Sequence, residues 1–160
     1  MPIFVTTKHL FFYNFLEPMA NENLQRFINA QEKAYSIALS EIMNGKKQSH
    51  WMWYIFPQIK GLGFSEISKF YAIKDFNEAE EFLNHPELGS RFIQICNELL
   101  HLESNDATKI FGKPDDVKLR SSMTLFSALP NTHPVFQRVL NKFFDGEKDP
   151  NTLKLIESEY

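Results

Sequence analysis

The chain has 160 residues, 43% of them apolar and 23% charged, which suits one globular domain around one core. Its net charge of −3 supplies no global field for nucleic acid or an anionic membrane, and leaves room only for a local basic patch. Its one cysteine, Cys96, excludes an intramolecular disulfide and a Cys-based zinc site, and fits a reducing, cytoplasmic compartment.

In chain order, residues 1–18 hold the apolar run Leu10-Phe11-Phe12-Tyr13-Asn14-Phe15-Leu16. The run is far short of the ~20 residues a membrane span needs, and it lacks a clean cleavage site after it. Met19-Ala20 reads as a second start, so the domain is expected over 19–160 with 1–18 as an extension outside it. Leu24, Phe27, Ile28, Gln31, Tyr35, Ala38, Leu39 and Ile42 recur at steps of three and four. That spacing predicts a helix over 21–43, capped by Asn21 or Asn23 and ended by Gly45. The six bulky residues 51–56 have no period, and Pro57 ends whatever they form; a short buried helix over 50–56 is expected, with a strand as the alternative.

A short helix follows Ser65, and another follows a cap at Asn77. His85-Pro86 opens a long helix with Leu88, Phe92, Ile95, Leu99 and Leu102 on one stripe, widened by Ile93, Cys96 and Leu100. A turn ends at Phe111-Gly112. Further helices are predicted over 114–128, from His133-Pro134 to Gly146, and after Asp149-Pro150. There is no repeat and no linker long enough to divide the chain. The prediction is an all-α (mainly α) compact single domain of seven or eight mostly short helices. Its core should be rich in Phe, because the chain has 16 Phe and that ring carries no polar handle.

No dinucleotide, phosphate-loop, zinc-protease or serine-hydrolase signature is present, and the five His form no i,i+4 metal pair. No metal or other cofactor is therefore expected. Two segments concentrate chemistry. Lys46-Lys47-Gln48-Ser49-His50-Trp51-Met52-Trp53, extended to Gln58, sets cations, a hydroxyl and an imidazole beside two indoles. Such a set suits an anion that carries a flat ring. The plainer alternative makes both Trp core, His50 a helix cap and the lysines a solvated helix end. In the second segment, Asp115, Lys118 and Ser122 fall on one helical line and Asp116, Arg120 and Thr124 on another. The plainer alternative here is a first-turn Asp pair with ordinary ion pairs. Arg91, Glu41 and Gln31 read as surface or edge groups, with a hydrogen bond inside the core as the alternative for Gln31, and Cys96 reads as packing rather than a nucleophile.

The stretches GKKQSHWMWYIFPQIKGLG (45–63) and FGKPDDVKLRSSMTLF (111–126) resemble two signatures of the bacterial family catalogued as domain of unknown function 1810. His85-Pro86-x-Leu88-Gly89-x-Arg91 and Phe143-x-Asp145-Gly146 also fit, so the resemblance runs from about Leu24 to Ile156. It implies a compact helical domain and supplies no activity. Some members are labelled calpastatin. That label does not transfer, because calpastatins are long and disordered while this composition is that of a folded core.

Three functional readings follow. The leading one is a polar, Trp-lined cleft for a small anionic ligand, nucleotide or ADP-ribose-like, formed by Lys47, Ser49, His50, Trp53, Gln58, Arg91, Asp115, Lys118 and Ser122. If it were an enzyme, the expected chemistry is metal-free hydrolysis with His50 or Asp115 as acid/base and Lys118 holding the anion. The second is a protein-interaction module marked by exposed aromatic rings. The third is purely structural, with both signatures tied into a buried polar network. Neither nucleic acid nor membrane is expected as a partner.

Overall fold

Nine helices succeed one another in the computed structural model, which describes residues 22–158. They are α1 (Glu22–Met43), α2 (Met52–Ile55), α3 (Glu66–Tyr71), α4 (Phe76–Asn84), α5 (Pro86–His101), α6 (Ala107–Phe111), α7 (Asp115–Ser127), α8 (Val135–Phe144) and α9 (Pro150–Glu157). No strand occurs among the described residues, only an isolated parallel bridge between Ile59 and Ile73. The mainly helical single domain predicted above is what forms. Among the described residues the count is nine because the turn expected before Gly112 also closes as a helix, the five-residue α6. The extension expected over 1–18 lies outside the described residues. No described helix is long and apolar enough to cross a membrane.

Local signals set most boundaries. His85 Nδ1 accepts from the Glu87 and Leu88 amides while Pro86 occupies the first turn of α5. Asp149 likewise accepts from Thr152 N ahead of Pro150. Gly45, at φ +75, ends α1 through its N–H to Ile42 O, followed by Lys46 N to Glu41 O. The expected cap at Asn77 is displaced. Asp75 caps α4 by accepting from Glu78 N at 2.9 Å, so that helix begins at Phe76. Asn23 lies within α1, and Asn21 falls outside the described residues. At the far end of α5, Lys142 of α8 donates its ammonium to the carbonyls of Leu99, Leu100 and Leu102, satisfying groups that the helix terminus leaves open.

α7 is the central helix: every residue from Ser121 to Phe126 is buried. Phe92 of α5 is the hub of the aromatic core, with ring centroids 4.7 Å from Phe126, 4.9 Å from Phe136, 5.6 Å from Phe82 and 6.0 Å from Phe56. Close approach of α4 and α5 depends on Gly89, where an added Cβ would lie 1.9 Å from the Leu83 carbonyl oxygen. Cys96 is fully buried beside Met123, and burial pushes its thiol well above the usual range. Native protein should therefore leave Cys96 unlabelled by Ellman's reagent until denaturant is added. Fast stoichiometric labelling in buffer would contradict that packing.

Candidate functional site

The two polar segments meet. Lys47 Nζ lies 2.9 Å from Asp115 Oδ2, and Lys118 Nζ lies 3.5 Å from Asp115 Oδ1. Lys118 also stands 5.7 Å from the centroid of the Trp53 ring. One carboxylate at the start of α7 therefore holds two ammoniums, one from each side. Loop geometry explains the approach: the chain leaves α1 at Gly45, and Lys47 N then donates to Ile110 O of α6 at 2.7 Å. That bond brings the loop to the mouth of α7, since Gly112 O in turn accepts from Asp116 N.

Within this arrangement the expected residues divide by role. Lys47 is nearly buried, donates to Ser49 O at 2.6 Å and sits 4.9 Å from the Trp51 ring centroid, so its charge is spent inside the protein. Trp51 is 1% exposed and packs on Phe56 and Phe111. Ser49 is consumed by Glu41, which is a correction to the edge role expected for that carboxylate. Glu41 accepts from Gln48 N, Ser49 N, Ser49 Oγ and Trp51 Nε1 at 2.6–2.9 Å. Burial alone would raise the Glu41 pKa; the four donors outweigh it and hold the carboxyl down at about 2. Sequence periodicity missed this hub because its three partner residues lie across the Gly45 turn, and their four donors converge only once that turn has closed.

Gln31 takes the second of its two expected placements, inside the core: its Nε2 donates to Tyr54 O at 2.8 Å, while its Oε1 has no partner among the described residues. His50 is exposed, and only its carbonyl is engaged, by Tyr54 OH, so it caps nothing. Gln58 and half-buried Trp53 share a hollow with Ser68 and Tyr71, of about 20 Å³, the room of a single water. Arg91 makes its contacts with Tyr35 of α1 and Glu87 of α5. Its guanidinium lies 5.4 Å from the Tyr35 ring centroid, and the Tyr35 hydroxyl donates to Arg91 O. Burial pushes that phenol up to about 12, against an opposing pull from Arg91. Among the described residues, Ser122 Oγ and Arg91 Nη1 are buried without a hydrogen-bond partner, and the Glu87 carboxylate lies 3.9 Å from Arg91 Nη1.

The second polar line of α7 faces elsewhere. Asp116 accepts from Thr108 Oγ1, Arg120 donates to the Glu147 and Lys148 carbonyls, and Thr124 Oγ1 accepts from Asp149 N. Asp149 also accepts from Ser121 Oγ. These bonds dock α6 and α9 on α7, so this line is structural.

Fold and site together define a small all-helical domain with a doubly paired carboxylate beside an indole. The chain belongs to the family described as Protein of unknown function (DUF1810), whose profile matches residues 21–156. It is similar to the conserved hypothetical protein Rv1873 from Mycobacterium tuberculosis, solved as a crystal structure at 1.38 Å, at 37% identity and a TM-score of 0.82. The match covers 84% of this chain and 96% of that one. No curated protein matches.

Proposed function

We propose that this domain binds a small anionic ligand bearing a flat ring, nucleotide-like in chemistry, on the ledge formed by Trp53 and Lys118. One observation carries the reading: the Lys118 ammonium stands over the Trp53 face while its one ion pair among the described residues, to Asp115, is 3.5 Å long. Lys118 thus keeps donors for an anion next to a surface on which a ring can lie. Gln58 offers an amide at the adjoining hollow, whereas Ser122, one turn along α7, is fully buried and does not reach the ligand. The hollow is water-sized, so the ligand lies across its mouth. Lys47 and Ser49 support the ledge from behind and do not touch the ligand. His50 is exposed, and Arg91 is engaged with Tyr35 and Glu87. Binding is favoured over hydrolysis because Asp115, the better placed carboxylate, is already committed to two ammoniums.

The test is a thermal-shift screen against nucleotides and sugar phosphates. A ligand at a hundred times its dissociation constant adds about 2.7 kcal/mol, or roughly 5–10 °C for a domain of this size. Lys118→Ala should erase the shift while leaving the unliganded melting point within about 2 °C of wild type. A screen without a hit, or a hit that Lys118→Ala leaves intact, would remove this reading.

A further inference from the structure

A larger concavity lies on the other side of Ala72, which lines both it and the Trp53 hollow. It measures about 430 Å³, within the range of ligand sites, and is lined by Arg26, Lys60, Lys69, Phe70, Lys74 and Glu78. Its charge is unbalanced. Arg26 and Glu78 cancel one another at 2.7 Å, and Glu78 also accepts from Lys74 N. Arg26 further occupies the Phe70 and Ala72 carbonyls, which removes the backbone acceptors at the site. The ammoniums of Lys60, Lys69 and Lys74 have no carboxylate partner among the described residues, and all three residues are exposed.

We propose that this depression binds clustered phosphate groups, the three lysines gripping the charge and Phe70 forming an apolar wall. The element that carries the wall supports a ligand-facing role. α3 has no buried residue, is held down by Arg26, and turns Ile67 and Phe70 outward at 40% and 59% exposure. Phe64, just before its cap, is 84% exposed. Apolar side chains left in water beside unpaired lysines are a costly arrangement for a purely structural element. No local sequence signal marks the three lysines, which are scattered at 60, 69 and 74 and meet only when the Ile59–Ile73 bridge folds α3 back over α1. The inference does not rest on the Trp53 ledge.

Phosphate of this kind is available from a soluble polyphosphate or from a lipid headgroup, and the experiment separates them. Calorimetry with inorganic tripolyphosphate should give saturable binding that weakens as salt rises. Lys69→Ala and Lys74→Ala should each weaken it by about tenfold or more, and Lys154→Ala, an exposed lysine outside the lining of the depression, should leave it unchanged. Sedimentation with phosphatidylcholine vesicles, with and without phosphatidic acid, forms the second arm. Capture only by vesicles with phosphatidic acid, lost in Lys69→Ala and Phe64→Ser, would support phosphate recognition with the headgroup as the source. The proposal fails if wild type shows neither binding. It fails equally if the lysine variants bind as wild type does, or if Lys118→Ala alone removes the signal.

Discussion

Replacing Glu41 by Gln should destabilise the domain by roughly 2–3 kcal/mol and lower its melting temperature by about 5–10 °C. The carboxylate ties two backbone amides, a hydroxyl and an indole N–H to the end of α1, and an amide in its place presents one donor to that ring of donors. The same bonds fix a pH dependence. The carboxyl pKa is lowered in the folded chain from 4.5 to about 2, so the unfolded chain binds the proton first as pH falls. The stability Glu41 contributes is therefore complete above about pH 4.5 and is lost between there and about pH 2. A shift of that size corresponds to roughly 3 kcal/mol, trimmed because solvent still reaches a partly exposed group. Urea melts of wild type and Glu41→Gln across that window should converge toward low pH. Parallel curves would show that Glu41 is not the group responsible.

The fold was legible because its elements carry redundant local signals. α5 shows an apolar stripe and a His–Pro start, and both point to the same helix. Boundaries failed where two cap residues competed, as Asp75 and Asn77 did at α4. The juxtaposition of the 47–58 segment with α7 was legible too, since each carried polar groups that needed partners. Which of those groups stayed available was not. Ser49 and Lys47 look as ligand-ready in the sequence as Lys118 does, and only the position of Glu41 and the depth of Trp51 separate them. Most described Phe rings fill the core as expected, and Phe64 and Phe70 are the ones that face solvent. Their neighbours Gly61, Gly63 and Ser65 make a turn and a cap that lift α3 off the core, which no periodicity records.

The two lysines on Asp115 should respond oppositely to substitution. Lys47→Met is expected to cost about 3 kcal/mol, because it strips a nearly buried carboxylate contact at 2.9 Å, frees the Ser49 carbonyl and removes the cation from Trp51. Lys118→Ala should cost under ~1 kcal/mol, since its pair is longer and its side chain is 27% exposed. Ligand binding on the Trp53 ledge should follow the reverse order. Lys118→Ala removes the group that meets the anion, whereas Lys47→Met, studied below its lowered melting point, leaves that ammonium in place and gives Asp115 no other partner to hold it. Lys118 is then drawn toward Asp115 and away from the ledge, so affinity in Lys47→Met should fall several-fold without vanishing. Denaturant melts and calorimetry on both variants read the two quantities separately. Equal stability losses would mean that Asp115 and its partners form one structural network, and the ledge would then have no ammonium to offer.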